Sequence, residues 1–112
     1  MRIAFQGALL ALALASSSPV SGAVAAPAPV TIKISNFVFT PAVVTVAPGT
    51  TVTWVNEDDI PHTVVADDKV LFKSKVLDTG DKFSFTFARP GSYGYFCSIH
   101  PHMTGKVVVK AP

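Results

Sequence analysis

The sequence predicts an all-β chain, a Greek-key β-sandwich or barrel of about seven to eight strands. Three observations carry that prediction. Beyond residue 30 the chain breaks into short runs rich in Val, Thr, Phe and Tyr, punctuated by Pro, Gly, Asn and Asp. The run "KFSFTF" alternates strictly, with Phe83, Phe85 and Phe87 on one face and Lys82, Ser84 and Thr86 on the other. No stretch carries the apolar stripe of an amphipathic helix.

The elements follow in order. Strands are expected at Thr31–Ile34, Val43–Val46 and Thr50–Asn56, the last placing Val52 and Trp54 on one face. His62–Ala66, Lys82–Ala88, Ser92–Cys97 and Gly105–Lys110 complete the set. A short run at Phe37–Phe39 and a weaker one at Val70–Val76 are further candidates. "APGT" (47–50), "DTGD" (78–81) and "RPGS" (89–92) supply turns. Tyr93 and Tyr95 precede Cys97 by four and two residues on one side of a strand. Each is either a tyrosine corner, with its hydroxyl tied to upstream backbone, or an ordinary core ring.

The chain has 112 residues and divides into three parts. Residues 1–25 have the layout of a secretory signal peptide: Arg2, the apolar run "IAFQGALLALALA", then a small and polar stretch ending in Ala23-Val24-Ala25. The apolar run is too short for a membrane span. Residues 26–30 form a loose Ala/Pro lead, and residues 31–112 one β domain. Without the leader, eight basic and seven acidic side chains remain, a net charge of +1. That balance argues against nucleic-acid binding, which needs a concentrated basic face. The expected compartment is outside the cytoplasm, with the periplasm as default.

An exported domain normally pairs its cysteines, yet Cys97 is alone. Its neighbours give it a purpose. "CSIHPHM" (97–103) offers a thiolate, two imidazoles and a thioether within seven residues. Cys97, His100 and Met103 are spaced by two intervening residues each, so a tight loop can aim all three at one point. Pro101 stiffens that loop, as Pro61 stiffens the approach to His62. His62 begins a strand after "NEDDIP", within reach of the Cys97 loop if both lie at the same end of a sandwich. Structural zinc wants several cysteines or histidines in pairs, and calcium or magnesium wants oxygen. One thiolate, two imidazoles and a weak thioether suit a single copper ion of the blue, electron-transferring kind.

"VTWVNEDDIPHTV" (52–64) and "GSYGYFCSIHPHMTGKVVVK" (91–110) resemble the cupredoxins, and among them the amicyanin group. The likeness extends loosely over Val30–Lys110. It implies a cupredoxin-like sandwich with His62, Cys97 and His100 as strong copper ligands and Met103 as the weak axial one. It implies that Asn56 ties the two ligand loops together. It further implies an electron exit at His100 through a surface patch of Ile99, Pro101 and His102. Amicyanins usually carry proline where this chain has Ile99 and phenylalanine where it has His102, so the patch here is less apolar. The implied partners are redox proteins, a dehydrogenase as donor and a c-type cytochrome as acceptor, met by a monomer.

Other readings stay open at this level. A copper carrier or buffer without electron traffic usually exposes Met- or His-rich tracts, whereas this chain has two methionines, Met1 and Met103. A copper enzyme needs an open coordination position. Glu57-Asp58-Asp59 reads as a solvated acidic loop or a steering patch for a cationic partner.

Overall fold

The short alternating runs become eight strands: β1 (Val30–Ser35), β2 (Val38–Thr40), β3 (Val43–Val46), β4 (Thr50–Asn56), β5 (Val65–Ala66), β6 (Lys82–Phe87), β7 (Gly91–Phe96) and β8 (Thr104–Val109). The computed structural model describes residues 26–112, and the expected leader at 1–25 lies outside them. The strands form two mixed four-stranded sheets, ordered β2-β1-β4-β6 and β3-β8-β7-β5. Among the described residues no helix is long and apolar enough to cross a membrane.

Alternation decides which side chains meet between the sheets. β4 buries Val52, Trp54 and Asn56 and leaves Thr51, Thr53 and Val55 half-covered. Ile32 and Ile34 of β1, Phe87 of β6, Tyr95 of β7 and Val107 and Val109 of β8 join that core. Trp54 is its centre, with ring centroids 5.3 Å from Tyr95, 5.7 Å from Phe83 and 5.8 Å from Phe72. Each large apolar side chain buried this way contributes about 1.5–3 kcal/mol. Gly105 faces Tyr95 across β7 and β8, and a Cβ there would collide with the tyrosine ring.

Two expected strands differ. Of His62–Ala66 only Val65–Ala66 is a strand, while His62 joins Leu77 in a two-residue bridge. Residues 62–66 are all buried, so the run had no alternation to mark a true sheet strand. Val70–Val76 is not a strand and contributes one bridge, Val65 to Lys73. Asp68 Oδ1 accepts the Val70 and Leu71 N–H groups instead, which turns the chain there. Of the two tyrosines, Tyr93 is the corner: its hydroxyl donates to the Arg89 carbonyl at 2.6 Å. Tyr95 is core.

One feature of the pairing positions the site. β1 runs parallel to β4, with Ile34 opposite Asn56. The turn after β1 therefore sits beside the loop after β4.

Candidate metal centre

Three loops meet at that end: residues 57–64 after β4, residues 97–103 between β7 and β8, and the Asn36–Phe37 turn between β1 and β2. The middle loop folds on itself. Cys97 N–H donates to Met103 O (3.0 Å), His100 N–H to Cys97 O (3.2 Å) and Met103 N–H to His100 O (2.8 Å). These bonds turn a linear spacing of three residues into a common direction. His62 is held by the mutual bonds with Leu77, at 3.0 and 2.7 Å.

Cys97 Sγ lies 3.8 Å from His62 Nδ1 and 3.7 Å from His100 Nδ1. The three potential ligand atoms all fall within 4.8 Å of one another. Cys97 and His62 are fully buried, Met103 is buried in the same loop, and His100 is half-buried. His102 is exposed and outside this cluster. For bond lengths of about 2.0 Å to nitrogen and 2.3 Å to sulfur, these sulfur–nitrogen separations correspond to an angle of roughly 120° at an ion. That is the angle of a trigonal His₂Cys set, so the residues present fit the group.

Hydrogen bonds tune the sulfur. Thr63 N–H donates to Sγ at 3.4 Å and the Thr63 hydroxyl approaches at 3.8 Å. Burial pushes the Cys97 thiol up, but the Thr63 N–H and the His62 and His100 rings outweigh it and bring the pKa down to about 6. The thiolate is thus favoured before any ion arrives.

The Asn56 amide, wholly buried, donates to the carbonyls of Ile60 and Leu77, both at 2.9 Å, and accepts the Asp58 N–H at 2.9 Å. These bonds brace the His62 loop against the Leu77 segment. The direct bonds between the His62 and Cys97 loops come from Thr63, whose hydroxyl meets Ser98 Oγ at 2.7 Å and accepts Ser98 N–H at 2.8 Å. The resemblance assigned that tie to Asn56, and the polar link across the two loops is made by Thr63 and Ser98.

Asp58 and Phe37 are the other residues that sequence reasoning missed. Asp58 Oδ2 takes the His62 Nε2–H at 2.8 Å, so Asp58 is not one of three equivalent solvated acids. Burial raises its pKa, but the N–H groups of Phe37 and Asn36 and the His62 ring outweigh that and hold the carboxyl below the usual range. The one available signal was the i, i+4 spacing of Asp58 and His62. Phe37, Ile99, His100, Pro101, His102 and Met103 line a shallow depression over the site. Ile99 is 46% exposed there, and Pro101 and His102 are exposed around the half-buried His100.

An all-β sandwich with a thiolate, two imidazoles and a thioether gathered at one end defines the class of blue-copper electron-transfer proteins. Comparison with known proteins gives the same class. Residues 6–109 match the family model described as a cupredoxin-like domain, and the chain belongs to that family. It is 32% identical over 103 residues to amicyanin from Paracoccus versutus, covering 88% of this chain and 78% of that protein. It is 36% identical over 85 residues to plastocyanin from Scenedesmus fuscus, covering 65% of this chain and 87% of that one. Among solved structures, a purple cupredoxin from Nitrosopumilus maritimus superposes with a TM-score of 0.69 at 36% identity, covering 72% of this chain and 99% of that chain. The protein is a copper-binding electron carrier of the cupredoxin family.

Proposed function

We propose that this chain is exported and shuttles single electrons between larger redox proteins, with one copper ion held by His62, Cys97, His100 and Met103. The observation that carries the ligand assignment is the approach of both Nδ1 atoms to Cys97 Sγ inside a buried pocket. Copper supplies a one-electron Cu(II)/Cu(I) couple when bound. The chain's part is to hold the donors still. The Cys97–Met103 backbone bonds fix the loop, Thr63 steadies the sulfur, and Asn56 braces the segment carrying His62. A site held by its own hydrogen bonds changes little between oxidation states, which keeps electron transfer fast.

Electrons cross at His100, the ligand nearest solvent, through the patch of Ile99, Pro101 and His102. The leader-like residues 1–25 support export, with the periplasm as destination. A donor dehydrogenase and a c-type cytochrome acceptor are the partners that likeness to the amicyanins favours. The carrier is taken to act as a monomer, and with all four donors bound to copper the site would leave no coordination position for a substrate, which favours a carrier over an enzyme.

Titration with Cu(II), followed by visible absorption, tests the assignment. An intense blue band saturating at one equivalent is expected. A colourless or weakly absorbing complex would remove the thiolate from the site and favour a copper buffer.

Proton release gives an independent check. The pKa of Cys97 is lowered to about 6 in the folded chain, against an ordinary thiol value nearer 9. Metal binding must expel any proton still on the sulfur. Between these two values the folded chain has already lost the proton that an unfolded chain keeps. The depressed pKa therefore stabilises the metal-free fold most fully above the unfolded value, and that stabilisation is lost as pH falls through about 6. Uptake of Cu(II) by the wild type is expected to release fewer protons at pH 8 than at pH 5, measured with a pH indicator in weak buffer. Equal release at both values would mean that Cys97 keeps one protonation state from pH 5 to pH 8 and would overturn the lowered pKa.

A further inference from the structure

The turn between β1 and β2 is strained where it meets the site. Ser35 pairs with Val38, leaving a two-residue loop whose residues both have positive φ, 53° at Asn36 and 61° at Phe37. This is the backbone of a primed hairpin turn. Asparagine tolerates it, but a bulky aromatic residue rarely adopts it. Burial does not hold Phe37 there, since the residue is 43% exposed.

Asp58 does. Its Oδ1 accepts the Asn36 N–H at 2.6 Å, and its Oδ2 accepts the Phe37 N–H at 3.1 Å and the His62 Nε2–H at 2.8 Å. So placed, the Phe37 ring meets both imidazoles edge-on, 5.6 Å from His62 at 88° and 5.1 Å from His100 at 87°. The imidazoles themselves lie 5.0 Å apart. One carboxylate therefore governs two features at once: which nitrogen of His62 faces Cys97, and where the ring spanning both histidines sits.

We infer that Asp58 is a positioning residue for the metal site, orienting His62 with Nδ1 toward Cys97 and seating Phe37 across His62 and His100. The inference rests on the ligand assignment proposed above. A carboxylate that accepts the far N–H of a ligating imidazole fixes its tautomer and ring angle. A ring packed edge-on against both imidazoles limits their rotation. The strained turn has a reason to exist if it delivers that ring.

The test uses the full chain, metal-free and with Cu(II). In Asp58→Asn one acceptor oxygen becomes an NH₂ group, so the three bonds cannot all form. Long-range ¹H–¹⁵N spectra of metal-free wild type are expected to show the His62 proton on Nε2, exchanging slowly with water. In Asp58→Asn that exchange speeds up, and the Phe37 ring-current shifts on both imidazoles diminish. Cu(II) affinity falls by roughly tenfold while the blue band survives. A proton on Nδ1 in the wild type, or unchanged exchange and ring-current shifts in Asp58→Asn, would overturn the inference. Phe37→Leu, which keeps the carboxylate, is the second variant. It should retain slow Nε2–H exchange, and losing it would assign the orientation of His62 to packing by Phe37 instead. Absence of a blue band in the wild type would sink the ligand assignment alone, because the metal-free spectra still decide the role of Asp58.

Discussion

Cys97→Ser is expected to abolish the intense visible absorption of the copper-loaded protein while leaving the sandwich folded. The band depends on a covalent bond between copper and a soft thiolate. A serine hydroxyl is a hard oxygen that stays protonated at neutral pH, and no neighbour in this pocket can change that. The thiol is different because the Thr63 N–H and the two imidazoles bring its pKa down to about 6 against the effect of burial. Serine is nearly isosteric and can still accept the Thr63 N–H that now reaches Sγ at 3.4 Å. At pH 5, where the thiol keeps its proton, the fold should therefore lose no more than about 1 kcal/mol, read from urea denaturation of the metal-free chain, and the loss should grow as pH rises through about 6. His102→Ala is the matched control, an exposed imidazole in the same loop and outside the cluster. It should keep the full band. A blue Cys97→Ser protein, or a colourless His102→Ala protein, would mean that the donors have been assigned wrongly.

What made this site readable in the sequence is that three of its donors are neighbours. Cys97, His100 and Met103 are brought together by hydrogen bonds inside their own loop, so their spacing carries the geometry. The sandwich was readable for a similar reason. "KFSFTF" and "TVTWVN" each have one covered face, and alternation reports that directly. Residues 62–66 carry no such mark, because every one of them is buried. Tyr93 and Tyr95 share a strand face, and only the position of the Arg89 carbonyl separates their roles.

Asp58 and Phe37 were hidden for a deeper reason. Their contact spans 21 residues and exists only because β1 pairs in parallel with β4 in one particular register. Composition made Asp58 one acid among three. Strand propensity drew Phe37 into the following strand, whereas a left-handed backbone and a carboxylate place it in the turn. Thr63 is similar: a β-branched residue in a β-rich run, whose hydroxyl and N–H serve Ser98 and Cys97 some 35 and 34 residues away. Long-range polar contacts of this kind depend on register, and a single sequence does not display register.

Asn56→Ala is expected to cause the largest loss of stability of any single polar substitution considered for this chain. Asn56 ends β4 and is completely buried. Its side chain satisfies the Ile60 and Leu77 carbonyls and the Asp58 N–H, each at 2.9 Å. Alanine leaves the part-buried Ile60 carbonyl and Asp58 N–H without that partner, while the Leu77 carbonyl keeps the His62 N–H. A buried polar group left unpaired costs about 1–3 kcal/mol. With some relaxation of the loop, the sum is roughly 3 kcal/mol, or about 12–24 °C in Tm for a domain of this size. Thr51→Ala is a useful comparison, because its bond to Thr86 Oγ1 at 2.8 Å is solvent-exposed and its loss should cost less than about 0.5 kcal/mol. The damage should also reach the metal. The Asp58 N–H and Ile60 carbonyl belong to the loop that carries His62, while Leu77 holds the His62 backbone from the other side. Releasing all three frees His62 to drift from Cys97, so copper affinity should fall together with Tm. Differential scanning calorimetry of the metal-free protein and Cu(II) titration of the same sample separate the two effects. If Asn56→Ala melted with the wild type and bound copper equally well, the bracing of the His62 loop would have to come from Thr63 and the Leu77 backbone alone.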